Sequence, residues 1–251
     1  MGTISGSLLN RRTIRKYSER DVEEKMLDYL LLQGSRTSTT GNMQVYSIVI
    51  TRDMEIKKEL APCHFNQSMV TEAPVVLTFC ADFNRFNKWC RLRKADPGYD
   101  NFLSFMTAAT DALLAAQTVC IAAESEGLGI CYLGTTIYMT RDIIKILRLP
   151  AGVVPVTTVT LGWPAENPEQ VDRLPLKAIT HKETYKDYTD KDIEELYSQK
   201  ENRSDSELFI RENNKETLAQ VFTDVRYTRK DNVHFSETLL QVLEEQGFMN
   251  Q

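Results

Sequence analysis

Hydrophobic positions in the first third of the chain switch between helix-like and strand-like spacing. One apolar face recurs through residues 21–33, which predicts an amphipathic helix that is capped near Ser18 and ends at Gly34. Two β-rich runs follow at residues 43–51 and 73–82, and the stretch between them has a helical pattern. The spacing therefore predicts strands and helices in alternation.

The middle of the chain contains its most apolar segment. Residues 101–129 are apolar around most of a helical circumference, which predicts a long central helix that is buried in the core. Asp111, Gln117 and Glu124 lie within this segment and argue against a membrane span.

Two strands and a helix complete the predicted core. The short apolar run ICYLGTT predicts a strand, and residues 140–149 predict a helix with Thr140 as its N-cap. Residues 153–164 carry the strongest strand signal in the chain, because β-branched residues follow one another almost without interruption. We expect this run to be a central strand.

From about residue 176 onward charged residues dominate, and few apolar side chains are present to anchor the segment. The final helix carries an apolar stripe that must be buried, and a partner subunit is a natural candidate for covering it. We therefore expect a single domain over residues 1–251 with a core of about residues 1–175. The remainder, 176–251, is expected to be a charged excursion and a C-terminal helix that packs on the partner.

Charge and cysteine content narrow the classes of function and location. A net charge of -5 and a pI near 5.4 argue against a general nucleic-acid binder, which needs clustered cationic charge. The first residues are too polar for a signal peptide, and the five cysteines include no CxxC pair, so we expect reduced thiols in a cytoplasmic protein. The three histidines lie at no metal-ligand spacing, and we expect no metal.

The common catalytic and nucleotide-binding motifs are missing from the sequence. It contains no GxxxxGK[ST] P-loop, and Gly127, Gly129 and Gly134 do not match the GxGxxG spacing. It also contains no GxSxG elbow and no HExxH motif. An enzyme without obvious side-chain catalysts usually takes its chemistry from a cofactor, so we expect no catalytic residue in the strict sense.

Four polar clusters could hold such a cofactor. In RRTIRKY, the alternation of side chains along an extended segment would aim Arg11, Thr13 and Arg15 together, and guanidinium groups suit a phosphate. The other clusters are SRTSTTGNMQ at residues 35–44, Gln67 in HFNQSMV and Arg173 in DRLP. Taken singly, each is more often a solvated turn, a polar loop or surface decoration.

Taken together and in this order, the clusters resemble the FMN-dependent nitroreductase family. More narrowly, they are similar to its branch of oxygen-insensitive NADPH nitroreductases and flavin reductases. The matching stretches are RRTIRKY, TSTTGNMQVYSIVI, TFCADFNR, AAQTVCIAAESEGLGICYLGTT, LGWPAENP and RLP. The similarity covers residues 8–185 in order, with a looser match in the final helix.

The resemblance implies an α+β fold with a mixed central sheet flanked by helices. It also implies a homodimer that holds one FMN in each of two clefts at the subunit interface. The basic segment and Arg173 would hold the phosphate and the ribityl chain, while later segments would contact the isoalloxazine ring. The residues carried over as cofactor contacts are Arg11, Arg12, Thr13, Arg15, Ser38, Thr40, Asn42, Gln67, Tyr132, Leu133, Gly134, Thr135 and Arg173.

Three positions depart from the pattern of this branch. The branch usually has histidine where this chain has Arg11, a second glycine where it has Thr135, and lysine where it has Val171. The extra arginine could compensate for the lost lysine, whereas the side chain of Thr135 is expected to narrow the space near the ring.

The reaction implied by the resemblance is a ping-pong hydride transfer from NAD(P)H to FMN and then to an acceptor such as a nitroaromatic or a quinone. NADPH is the expected reductant and NADH the alternative. Lys200 and Arg203 occupy the region in which this branch reads the 2'-phosphate, although a solvated charged loop explains them equally well. Two alternatives stay open: an NAD(P)H flavin reductase that hands reduced FMN to another protein, and a non-catalytic FMN-binding protein.

Overall fold

The computed structural model describes residues 4–250. The chain forms two compact units. The first unit contains the residues up to Glu169 together with the C-terminal segment from Phe235, and the second unit is Gln170–His234. The sheet and most of the buried apolar side chains belong to the first unit, which therefore positions the basic segment.

A four-stranded sheet lies at the centre of the first unit. Its strands are β1 (Tyr46–Thr51), β2 (Val75–Asp82), β3 (Gly129–Leu133) and β4 (Val153–Gly162). They lie in the order β1-β2-β4-β3, and every residue of β2 and β4 is buried. The central position predicted for the 153–164 run is confirmed.

A β-bulge between β2 and β4 accommodates a proline inside the sheet. Thr78 lies opposite Thr158, but Cys80 lies opposite Pro155, which leaves Val156 as the extra residue. Proline cannot donate a ladder hydrogen bond and occurs in sheets mainly at edges and bulges. The bulge explains how Pro155 is placed within a fully buried strand.

The α+β class is confirmed, but the expected mixed sheet is not what the four described strands form. Each strand runs antiparallel to its neighbours. The reason is the place of β4, which lies between β2 and β3 and runs opposite to both. Strand direction depends on the end at which each connection re-enters the sheet, and the order of strands and helices along a chain does not determine it.

Helices make up most of the remaining regular structure. In chain order they are α1 (Ile4–Leu9), α2 (Glu24–Gly34), α3 (Met54–Leu60), α4 (Met69–Glu72), α5 (Asn84–Leu92), α6 (Phe102–Ser125), α7 (Thr140–Ile146), α8 (Asp190–Glu201), α9 (Ser204–Glu212), α10 (Leu218–Gln220) and α11 (Arg229–Glu245). Short 3-10 helices occur at Thr40–Asn42, Ala61–His64, Gly134–Ile137 and Leu176–Ala178, and a π-helix occurs at Val221–Arg226.

The predicted central helix is confirmed as α6, which packs on the sheet. Asn101 caps it, since its side chain accepts a hydrogen bond from the Ser104 N–H at 3.0 Å. The buried face of α6 is rich in alanine and joins α2 and the sheet in one apolar core. By length and composition α6 could cross a membrane, but more than half of its apolar stretch is buried, as is typical of a core helix.

The helix expected after Ser18 begins later than predicted. α2 starts at Glu24, and no side chain caps it. The preceding residues make tertiary hydrogen bonds: the Ser18 N–H donates to the Trp163 carbonyl at 2.8 Å, and the Arg52 guanidinium donates to the Val22 carbonyl. These tertiary hydrogen bonds compete with the helical ones that the sequence pattern favours.

Thr140 is the first residue of α7 and is not its N-cap, so this part of the prediction is wrong. The Thr140 hydroxyl donates to the carbonyl of Thr136 at 3.1 Å. A hydroxyl that donates backward to the preceding turn cannot accept from the N–H groups that begin the helix.

The apolar stripe of α11 and the residues after it are largely buried within their own chain. Val242, Leu243 and Phe248 are each 1% exposed, whereas Leu240 remains 46% exposed. Packing of this segment on a partner subunit stays a prediction, and Leu240 is an exposed apolar side chain that such packing could use.

The second unit contains three helices that the sequence analysis did not predict. At the start of α8, the Thr189 side chain accepts from the Asp192 N–H, and Asp192 accepts in return from the Thr189 N–H. The second unit has few buried apolar side chains, which include Leu196, Leu218 and Val221. The capping box at Thr189 would have predicted the start of α8 from the sequence. The high charge content of this segment drew attention away from it.

α2 and α6 pack so closely at Gly34 that no side chain fits there. A Cβ on Gly34 would lie 2.2 Å from Val119 Cγ2. We expect Gly34→Ala to lower the free energy of unfolding by about 1–3 kcal/mol, the usual cost of overpacking, as measured by urea denaturation. Gly98→Ala is the matched control, because a Cβ there would meet no atom of residues 4–250 within 4 Å. Equal stability of the two variants would contradict the close contact.

Candidate functional site

The basic segment is tied to the edge of the sheet by backbone hydrogen bonds. The Ile14 N–H donates to the Ile130 carbonyl of β3 at 3.0 Å, and the Ser18 N–H donates to the Trp163 carbonyl. Ile14 is buried and packs on Gly129, where a Cβ would lie only 2.6 Å from the Ile14 side chain. The segment is therefore extended, and its side chains alternate between two faces.

A carboxylate from the turn after β4 fixes the same segment. Glu166 accepts hydrogen bonds from the backbone N–H groups of Arg15 at 2.6 Å and Lys16 at 3.0 Å. These bonds, the one from Arg15 first, hold the pKa of Glu166 below its ordinary value. Because Glu166 binds the backbone, it orients the segment without using the Arg15 guanidinium.

Alternation along this segment brings three of the predicted residues to one wall. Arg11, Thr13 and Arg15 line an open depression of about 590 Å³, here called the basic groove. Its lining is completed by Leu113 and Gln117 of α6 and by Tyr132 of β3. Two guanidinium groups beside an aromatic and an aliphatic side chain suit a ligand that has an anionic part and a flat apolar part.

Arg12 lines a second depression, of about 420 Å³, which Arg11 also lines. One terminal nitrogen of Arg12 donates to the Asn10 carbonyl at 3.2 Å. Arg12 does not line the basic groove with Thr13 and Arg15. Its role as a cofactor contact stays a prediction.

A buried carboxylate of α6 pairs with Arg11. Arg11 Nε lies 3.3 Å from Glu124 Oε1, and the Glu124 side chain is 9% exposed. Burial raises the pKa of Glu124 to about 7, although the charge of Arg11 opposes the shift. The net charge beside Arg11 therefore changes near neutral pH.

The serine-rich loop is shaped by a second buried carboxylate of α6. Asp111 is fully buried and accepts from the Thr40 N–H at 2.9 Å and from the Val45 N–H at 3.4 Å. The side chains of Ser38, Thr40 and Asn42 are exposed. The three predicted contact side chains are thus exposed, while Asp111 anchors the backbone of their loop to the core.

Gln67 follows a turn of unusual backbone shape. Phe65 and Asn66 have φ values of 54° and 55°, a left-handed conformation that costs free energy for residues other than glycine. Gln67 itself is half-buried, and its N–H donates to the His64 carbonyl at 3.1 Å. The turn therefore gives the predicted glutamine a defined position.

In the segment from Tyr132 to Thr135, the side chains of Leu133 and Thr135 are buried, and Gly134 exposes only backbone. Leu133 is 2% exposed, so its side chain belongs to the core, whereas Gly134 is exposed. Thr135 Oγ1 lies 2.7 Å from the buried His64 Nδ1. The Thr135 hydroxyl is thus directed at His64, and the expected narrowing of the space near the ring by the Thr135 side chain stays a prediction.

The remaining predicted residues lie in the second unit, where each has a partner. Arg173 donates to the Asp172 carbonyl at 2.8 Å, and Lys200 Nζ lies 2.8 Å from Asp172 Oδ2. Arg203 binds Asp205 through two hydrogen bonds, at 2.9 and 3.1 Å. The roles of these three residues in binding phosphate stay predictions.

Four ionisable side chains that shape this region were not among the predicted site residues. They are His64, Asp111, Glu124 and Glu166. A signal existed for the two on α6, because a carboxylate within an otherwise apolar helix must find a partner when it is buried. No local pattern pointed to Glu166, whose partners are backbone groups about 150 residues away.

Comparison with known proteins decides the family. Residues 8–163, more than half of the chain, match the model of the Nitroreductase family. The chain belongs to the nitroreductase family. The α+β nitroreductase fold expected from the resemblance is thereby confirmed, although its four described strands form an antiparallel sheet and not a mixed one.

Several known proteins are similar to this nitroreductase-family chain over most of its length. An FMN reductase (NADPH) of Bacillus subtilis is 33% identical over 192 residues, which are 76% of this chain and 77% of that protein. An oxygen-insensitive NADPH nitroreductase of Salmonella typhimurium is 29% identical over 184 residues, which are 73% of this chain and 75% of that protein. The crystal structure of a Bacteroides fragilis protein has 60% identity and a TM-score of 0.97, and the match covers 98% of this chain and 100% of the other.

Glu124 makes the stability of this nitroreductase-family protein depend on pH. Its folded-state pKa of about 7 lies above its ordinary 4.5, so the folded protein holds this proton more tightly than the unfolded chain does. The contribution of protonated Glu124 to the free energy of unfolding is present at acid pH. It is lost as the pH rises from 4.5 to about 7. The stability of Glu124→Gln relative to wild type should therefore increase from about pH 5 to about pH 8 in urea denaturation.

The exposed Glu72 supplies the control for this measurement. Glu72→Gln makes the same substitution at an exposed position, and its stability difference from wild type should depend on pH less than that of Glu124→Gln. Equal pH dependence of the two differences would contradict the burial of a titrating carboxylate beside Arg11.

Proposed function

We propose that this chain is an FMN-dependent oxidoreductase that takes hydride from NAD(P)H and passes electrons to nitroaromatics or quinones in a ping-pong reaction. The observation that carries the proposal is the basic groove, in which Arg11, Thr13 and Arg15 stand beside Tyr132. The names of its relatives, an FMN reductase (NADPH) and an oxygen-insensitive NADPH nitroreductase, support it.

The donor set of the groove fits FMN. A phosphate monoester carries about -1.5 to -2 charges at neutral pH, and Arg11 and Arg15 supply two guanidinium groups for it. The Thr13 hydroxyl can bind the ribityl chain, and Leu113 and Tyr132 supply apolar contact area. A depression of about 590 Å³ lies within the usual range for cofactor sites.

When bound, FMN supplies the hydride and electron transfer, and the chain binds and orients it. Gln67 is proposed to approach the ring edge, and the segment from Tyr132 to Thr135 to pack on the ring. A Cβ on Gly134 would meet nothing within 4 Å among the described residues, so the chain is open to a ligand at this position. Protons can come from water or substrate, so no side chain need act as a general acid.

NADPH is the proposed reductant, with NADH the alternative. A 2'-phosphate at Lys200 would have to displace Asp172, and at Arg203 it would have to displace Asp205. Because exchange of one anion for another gains less than filling an empty site, preference for NADPH over NADH should be modest if these residues read the phosphate.

The proposed active form is a homodimer in which α6 contributes an apolar face. Its exposed apolar residues are Phe102, Leu103, Met106, Leu113 and Leu114. They recur at intervals that place them on one side of the helix, and an exposed apolar stripe of this kind marks an interaction surface. Leu113 also lines the basic groove, so a subunit packed on this face would cover part of the cofactor.

The proposed partners beyond the second subunit are small-molecule electron acceptors, and neither nucleic acid nor a membrane is proposed. We place the protein in the cytoplasm. All five cysteines are free and buried, which fits a reducing compartment.

The alternative enzyme is a flavin reductase that releases reduced FMN, and the Bacillus subtilis relative is named an FMN reductase (NADPH). A non-catalytic FMN-binding protein is the third candidate. Retention of FMN through turnover distinguishes the first two, and reduction by a coenzyme excludes the third.

Steady-state assays on the purified holoenzyme test the proposed function. NADPH oxidation should depend on a nitroaromatic or a quinone, show parallel double-reciprocal lines and leave FMN on the protein after gel filtration. Loss of FMN during turnover would favour the flavin reductase, and a failure to oxidise either coenzyme would contradict both enzymes.

The Arg15 guanidinium should hold the cofactor phosphate. We expect Arg15→Ala to raise the dissociation constant for FMN by about 10- to 100-fold, the effect of losing a hydrogen bond between charged groups. Lys16→Ala is the matched control, because it removes the same charge from a neighbouring residue that does not line the groove. Fluorescence titration of the cofactor-free protein measures both, and equal effects would show that only the overall charge matters.

The exposed face of α6 should control both dimerisation and cofactor affinity. Leu114→Asp places a charge on a side chain that is 43% exposed, so the subunit should fold, but the dimer should dissociate at micromolar concentration and bind FMN more weakly. Leu92→Asp, at a position 76% exposed on α5, should leave both unchanged. Analytical ultracentrifugation would contradict the proposal if Leu114→Asp stayed dimeric or if wild type were monomeric.

A further inference from the structure

His64 is a buried polar side chain with one hydrogen bond. The residue is fully buried, and burial lowers the pKa of its imidazole to about 4, so the ring is neutral near pH 7. Nδ1 lies 2.7 Å from Thr135 Oγ1, and Nε2 has no hydrogen-bond partner among residues 4–250. Burial of a polar ring costs free energy, and the bond to Thr135 is what offsets this cost and fixes the ring orientation.

His64 joins two segments that the proposed function brings to the flavin. Its carbonyl accepts the Gln67 N–H at 3.1 Å, across the left-handed pair Phe65 and Asn66. Its side chain holds Thr135, which directly follows the exposed Gly134. A shift of the imidazole would therefore move the backbone at Gln67, the backbone at Thr135, or both.

We propose that His64 is a positioning residue for the flavin ring. Its hydrogen bond to the Thr135 hydroxyl sets the separation between the turn that carries Gln67 and the turn that begins at Gly134. The inference rests on the proposed function, in which both turns contact the ring. His64 itself is buried and acts through these two turns.

Thr135 is suited to this role where the similar branch usually has glycine. A glycine has no hydroxyl and leaves the backbone more freedom, whereas a β-branched side chain is restricted at χ1. Held by His64, Thr135 therefore restrains the backbone that follows Gly134. The two residues should act as a unit, so that loss of either removes the same restraint.

Three substitutions test the pair with small changes of volume. Thr135→Val removes the hydroxyl, Thr135→Ser keeps it, and His64→Leu removes the ring nitrogens. We expect Thr135→Val and His64→Leu each to slow reduction of bound FMN by NADPH about 5- to 50-fold, the factor that corresponds to one lost buried hydrogen bond. Thr135→Ser should stay near wild type, and the double variant His64→Leu/Thr135→Val should be no slower than the slower single variant.

Readouts other than activity separate positioning from general destabilisation. The slow variants should shift the visible absorption bands and the midpoint potential of bound FMN, while its dissociation constant changes less than about 3-fold because Arg11 and Arg15 are untouched. In the cofactor-free protein, urea unfolding should show that the two substitutions are coupled. Thr78→Val is the matched control, since it removes a buried hydroxyl that faces Thr158 in the sheet and should lower stability without a spectral shift.

The proposal is overturned if Thr135→Val and His64→Leu keep the wild-type reduction rate and spectrum, or if Thr78→Val changes them equally. If His64→Leu does not fold, the contrast between Thr135→Val and Thr135→Ser decides the matter. Unchanged variants of an active wild type contradict only the role of His64. A wild type that binds no FMN, or whose FMN neither coenzyme reduces, contradicts the proposed function and this inference with it.

Discussion

The arrangement of the candidate site depends on backbone hydrogen bonds that hold the basic segment against the edge of the sheet. The bond from Ile14 to Ile130 and the two amide bonds to Glu166 keep the segment extended. Once it is extended, the two-residue period of side chains places Arg11, Thr13 and Arg15 on one wall. If the segment were helical, Arg11 and Arg15 would still share a face, but Thr13 would point to the opposite side of the helix.

α6 provides the second fixed element. Its buried face forms the core with the sheet, and its buried Asp111 anchors the serine-rich loop through two backbone N–H groups. Its other face leaves Leu113 and Gln117 in the groove, continuous with the exposed apolar stripe. One helix thus links the core, the proposed cofactor site and the proposed subunit interface, so that subunit association and cofactor affinity should be coupled.

Local patterns predicted the parts of the structure that local physics determines. The apolar circumference of α6, the β-branched run of β4 and the alternation of Arg11, Thr13 and Arg15 are all visible within short windows of sequence. The late start of α2 was not visible, because hydrogen bonds from Ser18 and Arg52 to distant parts of the chain override the helical pattern there. Strand direction is likewise set by tertiary packing, and the four described strands form an antiparallel sheet where the resemblance implied a mixed one.

The groups that tune the site were hidden for a related reason. His64 and Thr135 are 71 residues apart and meet only when the fold is complete. Glu124 was visible as an ionisable residue in an apolar helix, but its proximity to Arg11 and the raised pKa required the structure.

The account as a whole is tested most directly by an anaerobic absorbance titration of the purified protein. NADPH or NADH is added while the flavin band near ~450 nm is followed, and a nitroaromatic or a quinone is then added. The account predicts stoichiometric bleaching of a protein-bound flavin and its recovery on addition of the acceptor. A colourless protein, or a yellow one that neither coenzyme bleaches, would contradict it.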